Sequence, residues 1–189
     1  QLLFGQAGND TLVAGGGNNQ RLSGGDDNDS LLGGTNNDNL DGGNGNDTLG
    51  GGLGNDTLFG GNGTDVASYG SATGAVTVNL GAGTSSGADG NDSLTGIENI
   101  LGGNGNDSIL GDSLANVLDG GNGNDTLIGG NGNDTLIGGI GTDWASYANA
   151  TGAVTVNLGT GTSSGADGND SLSSIENVLG GNSADSILG

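Results

Sequence analysis

The sequence predicts an all-β solenoid in which parallel strands stack in coils of two nonapeptides each, interrupted by longer spacer coils between blocks of repeats. Three observations predict it: a nine-residue repeat that opens with paired glycines, a total of 47 glycines in 189 residues, and two nearly identical units, 24–101 and 102–179. Short-period self-similarity is typical of solenoids, because each repeat buries its apolar side only by stacking on its neighbours.

The first block of repeats follows an irregular leading segment, residues 1–23. A one-residue slip near Ala14 puts Asp10 of this segment out of phase with the later acidic positions. Five nonapeptides come next, each with Asp at its sixth position, and the spacer 69–101 completes the unit 24–101. The sixth-position residues of this block are Asp29, Asp38, Asp47, Asp56 and Asp65.

The second unit, residues 102–179, has the same order of five nonapeptides and a spacer, 147–179. Residues 180–189 open a third unit, with Asp185 at the sixth position. The two spacers share the segments GAVTVNLG, GTSSGADGNDSL and IEN, and we expect each spacer to form a larger structural coil. The sixth positions of the second block hold Asp107, Asn116, Asp125, Asp134 and Asp143.

Each nonapeptide divides into a turn and a short strand. The Gly-Gly-x-Gly half supplies positions that accept positive φ and let backbone carbonyls approach one another. The other half alternates its side chains, so that its aliphatic eighth residue faces the interior. Two nonapeptides then make one coil with a strand on each side. The residues expected in the core are Leu31, Leu40, Leu49, Leu58, Ile109, Leu118, Leu127 and Leu136.

The charge of the chain restricts its partners. There are 22 Asp or Glu against one Lys or Arg, for a formal charge of −21. Nucleic acids and anionic membranes are bound through clustered Lys and Arg, so neither is an expected partner. No apolar run approaches the ~18 residues of a membrane span. The absence of Cys excludes a disulfide framework. We expect the sequence to be a segment of a longer protein.

The repeated Asp predicts multiple calcium sites. Asp residues two nonapeptides apart fall in one column, where two carboxylates ~5 Å apart repel by ~0.8 kcal/mol in water and more when desolvated. A hard divalent cation between stacked turns reverses this repulsion. Calcium fits best because every donor is oxygen and the sequence has no His or Cys. We expect sites of about six oxygens that pair Asp29 with Asp47, Asp47 with Asp65, and Asp38 with Asp56. Asn116 brings no charge, so its site with Asp134 should be the last to fill.

Several alternatives compete with these assignments. Asp in a glycine-rich turn also caps the turn without metal, although capping does not account for the strict phase of the repeat. The spacer residues Asp92 and Asp170 are either further ligands or structural. An EF-hand at Asp89 or Asp167 fails because the required glycine and glutamate are absent. The aromatic residues that close the blocks, Tyr69, Trp144 and Tyr147, either cover the last coil, which we expect, or bind sugar.

The repeat resembles the signature of the repeats-in-toxin (RTX, hemolysin-type) family, GGxGxDxUx, where U is a large aliphatic residue. Seven nonapeptides match GGxGxD strictly, those ending in Asp47, Asp56, Asp65, Asp107, Asp125, Asp134 and Asp143. The resemblance implies a right-handed parallel β-roll or β-helix that binds several Ca²⁺ ions. It also implies type I secretion and folding outside the cell, in a secreted, extracellular or cell-surface protein.

The predicted metal ligands are carboxylates and loop carbonyls. The carboxylates are the nonapeptide Asp residues given above together with Asp10 and Asp185. The carbonyls come from the glycine-rich loops, at Gly43, Gly45, Gly52, Gly54, Gly61, Gly63, Gly103, Gly105, Gly121, Gly123, Gly130, Gly132, Gly139 and Gly141.

The sequence does not predict an enzyme. Without His, Cys or Lys it lacks the usual nucleophile–base pairs, and a carboxylate pair for glycoside hydrolysis would need Asp residues that the metal array uses. We expect a structural or adhesive stalk, layer or filament, in contact with neighbouring repeats or other copies. The alternative is a calcium-dependent secretion and folding module of an exported enzyme or toxin. Ice binding is a minor alternative, because the third-position residues lack a regular Thr rank.

Overall fold

A computed structural model describes residues 1–17 and 19–189, which form 22 β-strands and no helix. The strands of the first unit and its leading segment are β1 (Leu2–Ala7), β2 (Thr11–Val13), β3 (Arg21–Asp26), β4 (Ser30–Thr35), β5 (Asn39–Asn44), β6 (Thr48–Leu53), β7 (Thr57–Asn62), β8 (Val66–Ser68), β9 (Val76–Asn79), β10 (Thr84–Gly87), β11 (Ser93–Thr95) and β12 (Asn99–Leu101). The later strands are β13 (Ser108–Leu110), β14 (Val117–Asp119), β15 (Thr126–Ile128), β16 (Thr135–Ile137), β17 (Trp144–Ser146), β18 (Val154–Asn157), β19 (Thr162–Gly165), β20 (Ser171–Ser173), β21 (Asn177–Leu179) and β22 (Ser186–Leu188).

The strands form two sheets of 11 strands each. Sheet A has the order β1-β3-β5-β7-β11-β10-β9-β13-β15-β17-β21, and sheet B has the order β2-β4-β6-β8-β12-β14-β16-β20-β19-β18-β22. Within the repeats each strand pairs in parallel with the strand two later, in a register such as Leu40 with Leu58. The paired residues are separated by two nonapeptides, and this confirms the predicted solenoid with two nonapeptides in each coil.

The first coil is one residue longer than the others. Leu3 pairs with Leu22 and Thr11 with Ser30, a register of two nonapeptides plus one residue. The extra residue is the slip seen in the sequence near Ala14. Because the extra residue lies in the sequence between β2 and β3, the strands before and after it still stack in register.

The core is a single file of aliphatic side chains between the two sheets. Each strand of the repeats turns one aliphatic or alanine side chain inward, whereas the spacer strands β9 and β18 turn two valines inward each. All of the predicted core residues are buried, with at most 1% of their surface exposed: Leu31, Leu40, Leu49, Leu58, Ile109, Leu118, Leu127 and Leu136. The core prediction is therefore confirmed. Alanines continue the file where a block ends, at Ala67 and Ala145.

The spacers differ from the simple larger coils that the sequence suggests. In the first spacer β9 and β10 form an antiparallel hairpin, β11 returns to pair with β7, and β12 pairs with β8. The reversal occurs at residues 80–83, where Gly83 has a φ of 66° and accepts the N–H of Leu94. Nonapeptide periodicity carries no signal for this antiparallel pairing.

Equivalent strands of the two units lie in opposite sheets. The hairpin of the first spacer (β9 and β10) extends sheet A, whereas that of the second spacer (β18 and β19) extends sheet B. The reason is that five nonapeptides are an odd number of half-coils. Each unit is therefore displaced by half a coil relative to the one before.

The aromatic residues that close the blocks behave differently from one another. Tyr69 and Tyr147 are buried, as expected. The expectation for Trp144 is wrong, because its side chain is 41% exposed. Ala145 occupies the inward position of β17, so the alternation of the strand turns Trp144 outward.

Truncation of a core leucine is expected to destabilise the calcium-saturated protein. Leu40→Ala should lower the free energy of unfolding by about 2–5 kcal/mol, because it removes buried methyl groups and leaves a cavity. The matched control is Leu53→Ala, whose leucine is exposed and whose loss should change stability by no more than about 0.5 kcal/mol. Denaturant titration measures both, and equal losses would contradict the single-file core.

Candidate metal centres

The turns of successive coils lie close to one another. Where β5 leads into β6, Gly43 has a φ of 112° and Gly45 a φ of 131°. A Cβ on Gly43 would overlap the carbonyl oxygen of Gly25, and one on Gly45 would overlap that of Asp27. The turns therefore bring main-chain oxygens together in a space that a side chain would fill. Among the other predicted loop glycines, a Cβ would likewise overlap a carbonyl oxygen of the preceding coil at Gly52, Gly54, Gly61, Gly63, Gly121, Gly123, Gly130, Gly132, Gly139 and Gly141.

Gly103 and Gly105 are placed differently from the rest of the predicted glycine set. Their turn follows the first spacer, so it packs against the spacer loop, near Tyr69 and Ala75, in place of a regular turn.

The sixth-position carboxylates form two columns, one along each sheet. In the column of sheet B, Asp47 Oδ1 accepts the N–H of Asp29 at 2.7 Å, and Asp65 Oδ1 accepts the N–H of Asp47 at 2.7 Å. These hydrogen bonds join the pairs that the sequence predicts for metal binding. The same bond from the preceding coil is accepted by Asp29, Asp38, Asp56, Asp125, Asp134 and Asp143.

The second oxygen of most column carboxylates is buried without a hydrogen-bond donor among the described residues. For Asp47, a Cβ on Gly42 would overlap this Oδ2 atom and would lie 2.6 Å from the carbonyl oxygen of Gly60. The oxygen thus faces the glycine turn and its carbonyls. A buried carboxylate oxygen without a donor is costly, and a cation in the turn would satisfy it. The oxygens in this state belong to Asp10, Asp29, Asp38, Asp47, Asp56, Asp65, Asp125, Asp134 and Asp143.

Burial also makes the columns electrostatically unfavourable without a cation. Desolvation raises the pKa of Asp56 to about 7 and the pKa values of Asp125 and Asp134 to about 6. Main-chain N–H donors oppose this rise, and neighbouring carboxylates add to it. The chain itself offers a single Lys or Arg, Arg21, to balance them. Positive charge must therefore come from outside the chain.

The donor set fits a hard cation. In residues 1–17 and 19–189, no three Asp, Glu, His or Cys side chains group together as metal ligands. A site between two turns therefore combines at most two carboxylates with main-chain carbonyl oxygens. Oxygen ligands of this kind, mixing carboxylates with carbonyls, are those that calcium takes. The residues that would hold it are the column Asp residues and the glycine-turn carbonyls.

Two of the predicted ligands lack a free oxygen. Asp107 accepts the N–H of Val76 with Oδ1 and that of Gly103 with Oδ2, both at 2.8 Å. Asp185 accepts the N–H of Val154 and of Gly181 in the same way. Both residues come first after a spacer, where a spacer loop occupies the place of the preceding turn.

Four carboxylates of the spacers also lie in the columns. Glu98 and Glu176, which the sequence analysis missed, accept the N–H of Asp65 and Asp143. Their repeated IEN segments were the available signal. The other two residues, Asp92 and Asp170, accept the N–H of the preceding coil with one oxygen and hydroxyl groups with the other.

The side-chain amide of Asn116 is satisfied by hydrogen bonds within the chain and needs no cation. Its Oδ1 accepts the N–H of Asp112 at 2.9 Å, and its Nδ2 donates to the carbonyl oxygen of Glu98 at 2.7 Å. A carboxylate here would turn an oxygen toward that carbonyl. The position is therefore neutral and internally paired, whereas its column neighbour Asp134 keeps a free oxygen.

Asn116→Asp is expected to make stability more dependent on calcium. While the site at this position is empty, loss of the bond to Glu98 should lower the stability of the folded chain by about 1–3 kcal/mol. With calcium, the added charge should strengthen the site that pairs this residue with Asp134. Thermal unfolding across a calcium titration measures the difference. A variant with the same calcium dependence as the parent chain would show that loop carbonyls, and not carboxylates, dominate binding.

The chain was compared with known proteins. A family model described as RTX calcium-binding nonapeptide repeat (4 copies) matches residues 2–20, 18–49, 43–71, 95–113 and 110–145, which together make up more than half of the chain. No curated protein matches the chain. The described residues contain no helix long and apolar enough to cross a membrane.

Proposed function

Because the chain belongs to the RTX calcium-binding nonapeptide repeat family, we propose that this calcium-binding β-roll is a structural segment of a large secreted or cell-surface bacterial protein. In this role it folds when calcium binds and then acts as a stiff stalk, layer or filament. Calcium is its cofactor, bound at several turns.

One observation carries the calcium-dependent folding. The column carboxylates are buried, and most of them keep one oxygen without a donor. Metal ligands of this kind do not exist as a formed site in the unfolded chain, so the free energy of metal binding becomes free energy of folding. Calcium outside a cell is plentiful, which suits a protein that folds after export.

The regularity of the stack supports a structural role. The two sheets run without a break through both units, since the spacer hairpins pair with repeats on either side. Eleven strands at ~4.8 Å spacing give a rod about 50 Å long. Most of the column carboxylates are buried, and we propose that the segment is not an enzyme.

Shortening the array in the producing cell tests this proposal. Deletion of residues 102–179 removes one complete unit and leaves residue 180, the start of an equivalent unit, to follow residue 101. A stalk or layer should lose reach or attachment in proportion, while the parent protein still leaves the cell. If the shortened parent protein is no longer exported or folded, the segment is instead a secretion and folding module.

A further inference from the structure

A turn of the first spacer stacks on the repeats although it lies outside the segments matched by the family model. Residues 87–92, with the sequence GADGND, follow the turn 51–56 in the column of sheet A. The N–H of Gly54 donates to the carbonyl oxygen of Asp89 at 2.8 Å, and the N–H of Asp56 donates to Asp92 Oδ1 at 2.9 Å. The spacer turn thus takes the place of the next repeat.

The sixth-position carboxylate of this turn has no oxygen to spare. Asp92 Oδ2 accepts the hydroxyl groups of Ser85 at 2.8 Å and Tyr69 at 3.2 Å. Burial and the nearby carboxylates raise the pKa of Tyr69, which therefore keeps its proton and donates it. Hydroxyl groups of the protein therefore satisfy this carboxylate oxygen, as a cation would satisfy the equivalent oxygen in the repeats.

Asp89, at the third position of the same turn, is in the opposite state. Its side chain is only 5% exposed, and its Oδ2 is buried without a hydrogen-bond donor. Asp56, on the turn below, also has a buried Oδ2 without a donor. Burial raises the pKa of Asp56, and the nearby charge of Asp89 adds to that rise. Two unsatisfied oxygens therefore lie on two turns that are joined by hydrogen bonds.

A cavity adjoins Asp89. This residue lines a cavity of about 330 Å³ together with Gly52 and Leu53 of the turn below and with Ser71 and Thr73 of the spacer. Open space therefore lies beside Asp89, at the surface of the spacer turn.

The stacking of the spacer turn on the last regular turn recurs in the second unit, in the other sheet. Gly132 donates its N–H to the carbonyl oxygen of Asp167 at 2.9 Å, and Asp134 has a buried Oδ2 without a donor. The sixth-position Asp170 is again occupied, by hydroxyl groups of Tyr147 at 2.8 Å and Ser163 at 2.7 Å. Asp167 is buried like Asp89, and the stacked turn and the satisfied sixth position occur in both units, but only Asp89 has a third-position Oδ2 that is buried without a donor.

We propose that Asp89 and Asp56 bind a calcium ion between the spacer turn and the last regular turn below it, and that Asp167 and Asp134 form the equivalent site in the second unit. The third-position Asp supplies the carboxylate that the sixth position supplies in the repeats, and turn carbonyls complete the ligand set. Calcium at these sites fixes each spacer to its block. The inference rests on the calcium-dependent fold proposed above.

The number of calcium ions bound by the complete chain, residues 1–189, tests the site. Equilibrium dialysis followed by elemental analysis should find one ion fewer in Asp89→Ala and two fewer in the double variant with Asp167→Ala. The matched control is Asp26→Asn, since Asp26 is also a third-position Asp but is exposed and accepts the amide of Asn44. The control should bind as many ions as the parent chain.

The possible outcomes distinguish a failure of this site from a failure of the proposed function. An unchanged number of ions in a folded Asp89→Ala variant would overturn the site and leave calcium-dependent folding intact. If Asp89→Ala does not fold in calcium, the Asp89→Asn variant is measured in its place. Weaker binding of one calcium ion would support the site. The same number of bound ions and the same affinity as in the parent chain would overturn it. A parent chain that binds calcium without any change in circular dichroism would instead contradict the proposed function.

Discussion

Removal of calcium is expected to convert the solenoid into a largely disordered chain. In the repeats the core supplies only one aliphatic side chain for each strand, and the buried carboxylates within each column would face one another without a cation. The chain also carries a formal charge of −21, which favours expanded states. Far-UV circular dichroism should lose most of its β signal in chelator and regain it with millimolar calcium. The radius of gyration in chelator should reach about 45 Å, the value for an unfolded chain of this length.

Magnesium provides the control for this experiment. Mg²⁺ prefers a small octahedral site and keeps its water ligands, so excess Mg²⁺ should restore much less β structure than the same concentration of Ca²⁺. Equal recovery would show that general screening of charge, and not ligation in the turns, folds the chain. A calcium-free sample with its full β signal would contradict calcium-dependent folding altogether.

The structure of the repeats could be predicted from the sequence because the nine-residue period specifies each of its main features. The nonapeptide spacing sets the strand register, the inward position of Leu40 and the column that contains Asp38 and Asp56. Each of these features depends on residues within one coil of each other. The extra residue near Ala14 was also visible in the sequence, as a shift in phase.

The spacers could not be predicted to the same depth, because their pairing is not periodic. The direction of β10 depends on a reversal at residues 80–83 and on partners in β9 and β11. The sequence left Asp92, which occupies the signature position, either a further ligand or structural. Only the fold shows that Tyr69 and Ser85 satisfy Asp92, whereas Asp89 keeps an unpaired oxygen.

The half-coil displacement between units determines which surfaces a longer array of units exposes on each side. Because the spacer hairpin extends sheet A in one unit and sheet B in the next, equivalent surfaces of consecutive units face opposite sides of the rod. A rod of such units presents the same residues on both of its faces. This symmetry suits a layer or filament with neighbours on two sides.

Acid is expected to replace calcium in part. Desolvation raises the pKa of Asp56 to about 7 and those of Asp125 and Asp134 to about 6, and it also raises the pKa values of Asp47 and Asp65. Each pKa is higher in the folded chain than the ordinary value of about 3.9 in the unfolded chain. The folded state therefore binds more protons between these values, and the stability of the calcium-free chain increases as pH falls from about 7 to about 4.

The measurement is circular dichroism of calcium-free protein between pH 8 and pH 4.5, with sedimentation to exclude aggregation near the pI of about 4.1. The β signal should rise as pH falls. With saturating calcium the trend should reverse, because protons compete with calcium for the same carboxylates. Asp56→Asn, which resembles the protonated side chain, should raise the calcium-free β signal at pH 7 and reduce its dependence on pH. Calcium-free stability that rises with pH would show that the column carboxylates do not oppose folding.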